Sequence, residues 1–301
     1  MTTTYANLVD EVLLNLSGYT LRQDRTTHLT QNLTSDGLTI NLGDVTNIGK
    51  GVVEIDDELI WLDTYDRISS QATIAPYGRG YHGTTAAAHT QNTKVTVAPT
   101  FPKATVKTAI NDTIDAVFPN LFGVGVHTFS FNTVQTTYQL PTDVETIINV
   151  SWQPTGPSKE WLPVRNWRPD SYANTTAFTT GQSISIHDRI EAGRTIQVHY
   201  TKKPSTLRGL STSAVFETTT GLPSSCKDVI VYGASYRLAS FIDPGRLNYS
   251  SAEADLADSK IQYGSGASTT RFMLALFQQR LNEEKAKLRD VYPTRIHYTR
   301  Y

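Results

Sequence analysis

Apolar positions along the chain switch between a helical and a strand-like period, and the order of the switches predicts the elements. Tyr5, Leu8, Val9, Val12, Leu13 and Leu16 recur at three- and four-residue steps, which predicts an amphipathic helix, with Gly18 placed to cap it in the left-handed conformation. From Leu33 to Pro99 the pattern reads as β: Leu38 to Leu42 alternates, Val52–Ile55 and Glu58–Leu62 flank Asp56 and Asp57 as a tight hairpin, and Lys94–Val97 makes a last short strand. Phe101 and Pro102 reopen a helix through Val106, Ile110, Ile114 and Val117, stopped at Phe118–Asn120. A second β region runs from Val126 to Thr201, with strands at Thr128–Phe131, Thr137–Leu140, Glu145–Val150, Ser183–Ile186 and Thr195–Tyr200 and turns at Gly181 and Gly193.

The final third returns to the helical period. Leu222 and Pro223 open it, Ser225 and Asp228 have the spacing of a capping box, and Val231, Ala234, Leu238, Phe241 and Ile242 form a buried stripe before a stop at Asp243–Gly245. A smaller helix is expected over Ser251–Tyr263, then a hinge from Gly264 to Ser268. In the last helix Leu274, Phe277, Leu281, Leu288 and Val291 share one face, Glu283 and Lys287 are spaced as a supporting ion pair, and Tyr292-Pro293 ends the run.

This order predicts an α+β fold: a discontinuous helical bundle from residues 1–32, 101–122 and 222–292, with β modules inserted at 33–100 and 123–221. Long insertions in loops add little closure entropy, so the plan is thermodynamically reasonable. An extended C-terminal docking arm, 293–301, completes it. Its residues Arg295, Ile296, His297, Tyr298, Thr299, Arg300 and Tyr301 carry no acid and no Gly or Ser, and their alternation suits pairing with a partner's strand edge.

Composition narrows the class. Over 301 residues the chain is 39% hydrophobic and 10% aromatic but only 18% charged, so Thr, Ser, Asn and Gln must cover much of a globular surface. A hydroxyl- and tyrosine-rich surface suits β-structure and permanent contacts. The formal net charge of -1 argues against a general nucleic-acid binder. Acids outnumber bases before residue 70, whereas Lys285, Lys287, Arg289, Arg295 and Arg300 dominate the end, a polarity that fits head-to-tail contact between copies. A single cysteine, Cys226, allows no disulfide within the chain, and neither a signal peptide nor an apolar run of membrane-spanning length is visible, so folding in a cytoplasm is expected.

Candidate chemistry is sparse. Asp56, Asp57 and Glu58 form the densest acid cluster, but adjacent strand side chains point to opposite faces, so a solvated turn is expected rather than a metal site. The seven histidines include no zinc-type pair; His82 and His89 flank a small-residue loop, where a histidine bonded to backbone is the expectation. Cys226 stands at a predicted helix start without a nearby base, which reads as structural. Trp152, Trp161 and Trp167 crowd a stretch with Pro154, Pro157, Pro163 and Pro169; packing is the expectation and a sugar-stacking platform the alternative. No catalytic, cofactor or metal residues are assigned, and the chain is not expected to be an enzyme.

The hairpin Val53–Leu62, the loop residues Arg79, Gly80, Gly83, Thr84, Ala86 and His89, and the following Val95 and Val97 resemble a small β module of tailed-phage virion proteins, in which Ile-Asp and Glu-x-Ile precede Arg-Gly-x-x-Gly-Thr-x-Ala-x-x-His. The wider layout of helical segments, inserted sheet and C-terminal arm resembles the head–tail adaptor (connector) proteins of tailed phages. That resemblance implies a structural virion subunit whose copies form a ring, usually of twelve, between the portal protein and a tail or stopper (nozzle) protein. Genomic DNA would pass through its lumen without sequence readout, and Arg295–Tyr301 would dock on the portal. A tail-tube or baseplate subunit, or a carbohydrate- or host-recognition protein, is the alternative.

Overall fold

The computed structural model describes residues 2–18, 24–154, 160–240 and 265–293. Its described residues form thirteen strands in three antiparallel sheets and only a few helices, which overturns the expected helical bundle with inserted β modules. The helical stripes were correctly located: α1 is Tyr5–Ser17, α2 Lys103–Ala116, α4 Lys227–Ala239 and α5 Ser265–Val291, with a short α3 at Phe216–Thr220. The β regions, however, each bury a large apolar core of their own. A segment that supplies its own core needs no helical scaffold to carry it.

The described chain divides into two compact units, one from Ala6–Asp112 with Val231–Ala275, the other from Met1–Tyr5, Thr113–Ile230 and Leu276–Tyr301. In the first, β1 (Arg25–His28), β2 (Thr39–Asn41), β3 (Gly51–Ile55), β4 (Glu58–Asp66), β5 (Gln71–Ile74) and β6 (Lys94–Val97) pair in the order β1-β6-β3-β4-β5-β2. Strands β1 and β5 were not foreseen, both being only four residues long and β1 entirely polar. The two edge strands then meet: Leu29 bridges Leu42, and the amides of Thr30 and Gly43 donate to the carbonyls of Asn41 and His28, both at 3.0 Å. The sheet therefore closes at this bridge into a small barrel. A Cβ at Gly43 would lie 2.2 Å from the exposed His28 ring, so glycine lets that ring lie against the backbone there. Leu29, Ile40, Ile55, Ile60, Leu62 and Val95 fill the interior. On the barrel's β3, buried Glu54 accepts the backbone N–H of Lys103 at 2.6 Å, so a strand carboxylate supplies the first turn of α2 with an acceptor. Burial pushes the Glu54 carboxyl up, and that bond holds against it.

The second unit is a sandwich. One sheet orders β10 (Leu162–Pro163), β9 (Thr146–Gln153), β13 (Thr195–Lys202) and β7 (Gly123–Ser130); the other orders β11 (Trp167–Asp170), β12 (Ser183–Ile186) and β8 (Thr137–Gln139). Residues from both sheets, among them Tyr138, Val150, Ile184, Ile186, Ile196 and Val198, share one core. The alternation along β13 sets Ile196, Val198 and Tyr200 inward and Gln197 and His199 outward. The predicted turns at Gly181 and Gly193 hold, with φ of 69° and 82°. Gly18 is not in the left-handed region after α1, so that expected cap is absent.

Candidate docking surfaces

The loop that resembles the virion module is organised by one buried carboxylate. Glu58 opens β4 in register with Ile55, on the interior side of the two-residue turn at Asp56 and Asp57, and its side chain is 1% exposed. Arg79 binds it in a fork, Nε to Oε1 at 2.7 Å and Nη2 to Oε2 at 2.9 Å. The amides of Gly80 and Ala87 donate to the same carboxylate at 3.0 and 3.1 Å, and His89 Nε2 lies 2.8 Å from Oε2. Arg79 directs its remaining donors to the carbonyls of Thr34, Gly37 and Ala87. His89 reaches Asp56 with Nδ1 at 2.9 Å, while its backbone exchanges two 2.8 Å bonds with Leu33. Thr84 Oγ1 accepts the Leu59 amide and donates to the Tyr81 carbonyl. Gly80 adopts φ 60°, and a Cβ there would sit 2.7 Å from the Thr84 carbonyl oxygen, which accounts for glycine at that position.

Burial alone would raise the Glu58 carboxyl, but the bonds from Arg79, Ala87, His89 and Gly80 outweigh it and bring it down to about 2. The expected solvated turn is thus wrong for Glu58, and the expected backbone-bonded histidine is wrong for His89. Burial decides both: a charge removed from water must be paired, and the nearest cation is Arg79 of the loop itself. Asp57 is tied to Lys107 of α2 at 2.7 Å. A carboxylate leading an otherwise apolar strand, Glu58–Leu62, was the signal available in the sequence. The donors and acceptors of the cluster are spent largely on one another. The cluster fixes the backbone of the loop, whose tip, Thr85–Ala88, is exposed.

The C-terminal helix has a comparable anchor in the other unit. Glu284 is 2% exposed and accepts from Ser225 Oγ and Lys287 Nζ, both at 2.5 Å. Arg280 bridges Asp228 and Glu283, and Lys285 Nζ donates to Asn120 Oδ1 at 2.7 Å. Two expectations are corrected here. Ser225 serves Glu284 rather than a capping box, and Lys287 pairs with Glu284 rather than Glu283, because the buried carboxylate has the greater need of a cation. Leu288 is buried but Val291 is 66% exposed, so the predicted apolar face stops short of the helix end. The expected hinge is not one over its last residues: Ser265–Ser268 form the start of α5.

The expected docking residues Arg295–Tyr301 lie outside the described residues, as do Phe241, Ile242, Asp243–Gly245, Ser251–Tyr263, Gly264 and Pro157. The tryptophans do not form one platform. Trp152 and Trp167 pack on the sandwich core, whereas Trp161 is 37% exposed at the lip of an open groove. Cys226 is fully buried, and burial followed by nearby Glu284 pushes its thiol up to about 12, as a structural cysteine requires. Among the described residues no His, Cys, Asp and Glu group has a metal-binding arrangement, and no helix is long and apolar enough to cross a membrane.

The family model described as SU10 adaptor protein matches residues 84–295, more than half of the chain. The chain belongs to the SU10 adaptor protein family. The match spans α2, the whole sandwich, α3, α4 and α5, and stops inside the C-terminal tail at Arg295. Strands β1 to β5 of the barrel precede it, as does Arg79, while Thr84, Ala86 and His89 fall within it. Membership makes this a phage adaptor-type protein. No curated protein matches the chain.

Proposed function

We propose that this adaptor is a structural, non-catalytic subunit of the virion neck. Copies associate in a ring, twelve being the expected number, between the portal protein and a tail or stopper (nozzle) protein, and extend the channel for genomic DNA. The subunit assembles in the host cytoplasm and works without a cofactor. The observation that carries the reading is family membership over residues 84–295, which includes α5 and the start of the tail. The anchoring of α5 supports it. A helix held at Ser225, Asp228 and Asn120 delivers Pro293 from a fixed point, so the tail Arg295–Tyr301 starts from a set position on each copy. Short tails bind weakly one at a time, and a ring that presents many at once gains through effective concentration. A formal net charge of -1 suits a channel that lets DNA pass without gripping its phosphates.

The test is mass measurement of the purified protein alone and mixed with portal. Full-length chain should form a ring–portal complex, and a chain lacking Thr294–Tyr301 should remain folded yet fail to join it. Equal complex formation by the truncated chain would remove the tail from the docking role; absence of any complex with full-length protein would overturn the neck assignment.

A further inference from the structure

The outward face of the four-stranded sheet carries a groove that uses none of the anchoring residues. Its floor is two cross-strand pairs, Asn149 opposite His199 and Ser151 opposite Gln197, on β9 and β13. Pro163, in register with Ser151 on β10, and the half-exposed indole of Trp161 form the wall of a cavity of about 460 Å³, within the size range of small-molecule sites. Past His199 the hollow continues for about 250 Å³ to Tyr292, beside Ile148 and Pro293. An aromatic ring thus stands at each end of a polar floor.

The floor is made of groups with unused hydrogen-bonding capacity. Among the described residues, the side chains of Asn149, Ser151, Gln197 and His199 make no hydrogen bond to protein, although Ser151 is only 4% exposed. The two amides each offer a donor and an acceptor side, the hydroxyl offers both, and the imidazole adds a further donor or acceptor. Among the described residues, no Lys, Arg, Asp or Glu lines either part of the groove. A phosphate or nucleic acid would find no cation among them, and a basic peptide no carboxylate. What matches flat aromatic faces flanking neutral donor–acceptor pairs is a ligand with one apolar face and a rim of hydroxyls.

We propose that this groove binds a neutral oligosaccharide, with one pyranose ring stacked on Trp161, the chain of hydroxyls read by Gln197, Ser151, Asn149 and His199, and a further ring reaching Tyr292. The activity is additional to the neck role. Full-length protein is screened against immobilised neutral oligosaccharides of hexose and N-acetylhexosamine units, together with sialylated glycans and single-stranded RNA. The strongest neutral binder is then titrated in solution by isothermal titration calorimetry, which does not depend on Trp161 as a reporter. Binding in the submillimolar range is expected, weakened about tenfold or more by Trp161→Ala and by Gln197→Ala, and within about threefold of wild type for Trp161→Phe, which keeps a stacking face. Thermal midpoints of the variants confirm that each is folded. The proposal is overturned if no neutral glycan binds, if only the anionic probes bind, or if binding by folded Trp161→Ala and Gln197→Ala equals wild type.

Discussion

Glu58 in the barrel and Tyr138 in the sandwich solve the same problem by different means. Each is a buried polar side chain that ties a loop to a strand. Glu58 does so with charge, gathering Arg79, His89 and two amides. Tyr138 does so without charge: its hydroxyl accepts the Asn132 amide at 2.8 Å and has one proton to donate, with the carbonyls of Gln135 at 2.7 Å and Asn132 at 2.8 Å both in reach. The ring of Tyr138 stacks on Phe129 at 4.5 Å between centroids, so the polar tip costs the core little apolar contact. A charged knot is geometrically demanding and depends on every partner. A neutral one tolerates the loss of a bond. The family pattern follows the same division, for it covers the sandwich entire and only the last strand of the barrel.

Four changes break or sharpen that contrast. The largest effect is expected from Arg79→Ala, which leaves Glu58 buried without its main partner. We expect a loss of about 3–5 kcal/mol, read by urea unfolding and localised by hydrogen exchange to the barrel strands, with the sandwich unaffected. Arg79→Lys should recover only part, since an ammonium cannot reproduce the fork.

Acid should come next. The Glu58 carboxyl is held at about 2 when folded, against 4.5 ordinarily. Protonation therefore favours the unfolded chain, and the contribution is complete above pH 4.5 and disappears as the pH falls toward 2. The barrel should lose about 3 kcal/mol across that window, and Glu58→Gln should flatten the acid limb measured by fluorescence or circular dichroism. If wild type and variant keep parallel acid limbs, the charged knot is not what distinguishes the barrel.

Tyr138→Phe should cost about 1–2 kcal/mol in the sandwich, with the Asn132–Gln135 loop exchanging faster and little dependence on pH. The smallest effect is expected from Lys50→Ala. Its bond to Asp63 is 2.7 Å long, but both side chains are largely exposed, so the change should stay below about 1 kcal/mol and vanish in high salt. A larger loss there would mean that barrel charge matters even at the surface.

Much of the fold was legible because period is local. The stripes of α1, α2 and α5 and the strands β3, β4, β6, β12 and β13 follow directly from apolar spacing. Strands β1, β5 and β11 were missed because Arg25–His28, Gln71–Ile74 and Trp167–Asp170 are four residues each, too short to show a period. They are strands only because a neighbour supplies the ladder. The hierarchy of helices over sheet was misjudged for a related reason: spacing shows that a segment has an apolar face without showing what that face packs against. The loop residues Arg79, Gly80, Thr84 and His89 were recognised as a pattern, but the carboxylate they surround was assigned to solvent.

The chain's own order of residues settled the positions of its main helices and strands, the structural character of its lone cysteine and the resemblance to phage adaptors, all of which depend on neighbours in sequence. Tertiary structure alone decided that the first sheet closes through Leu29 and Leu42, that Glu58 finds Arg79 and His89, that Glu284 takes Ser225, and that Trp161 separates from Trp152 and Trp167 to face a groove. Burial is the physical reason. Whether a polar group must be paired depends on how much water the whole fold leaves around it, and that quantity exists only once distant segments have come together.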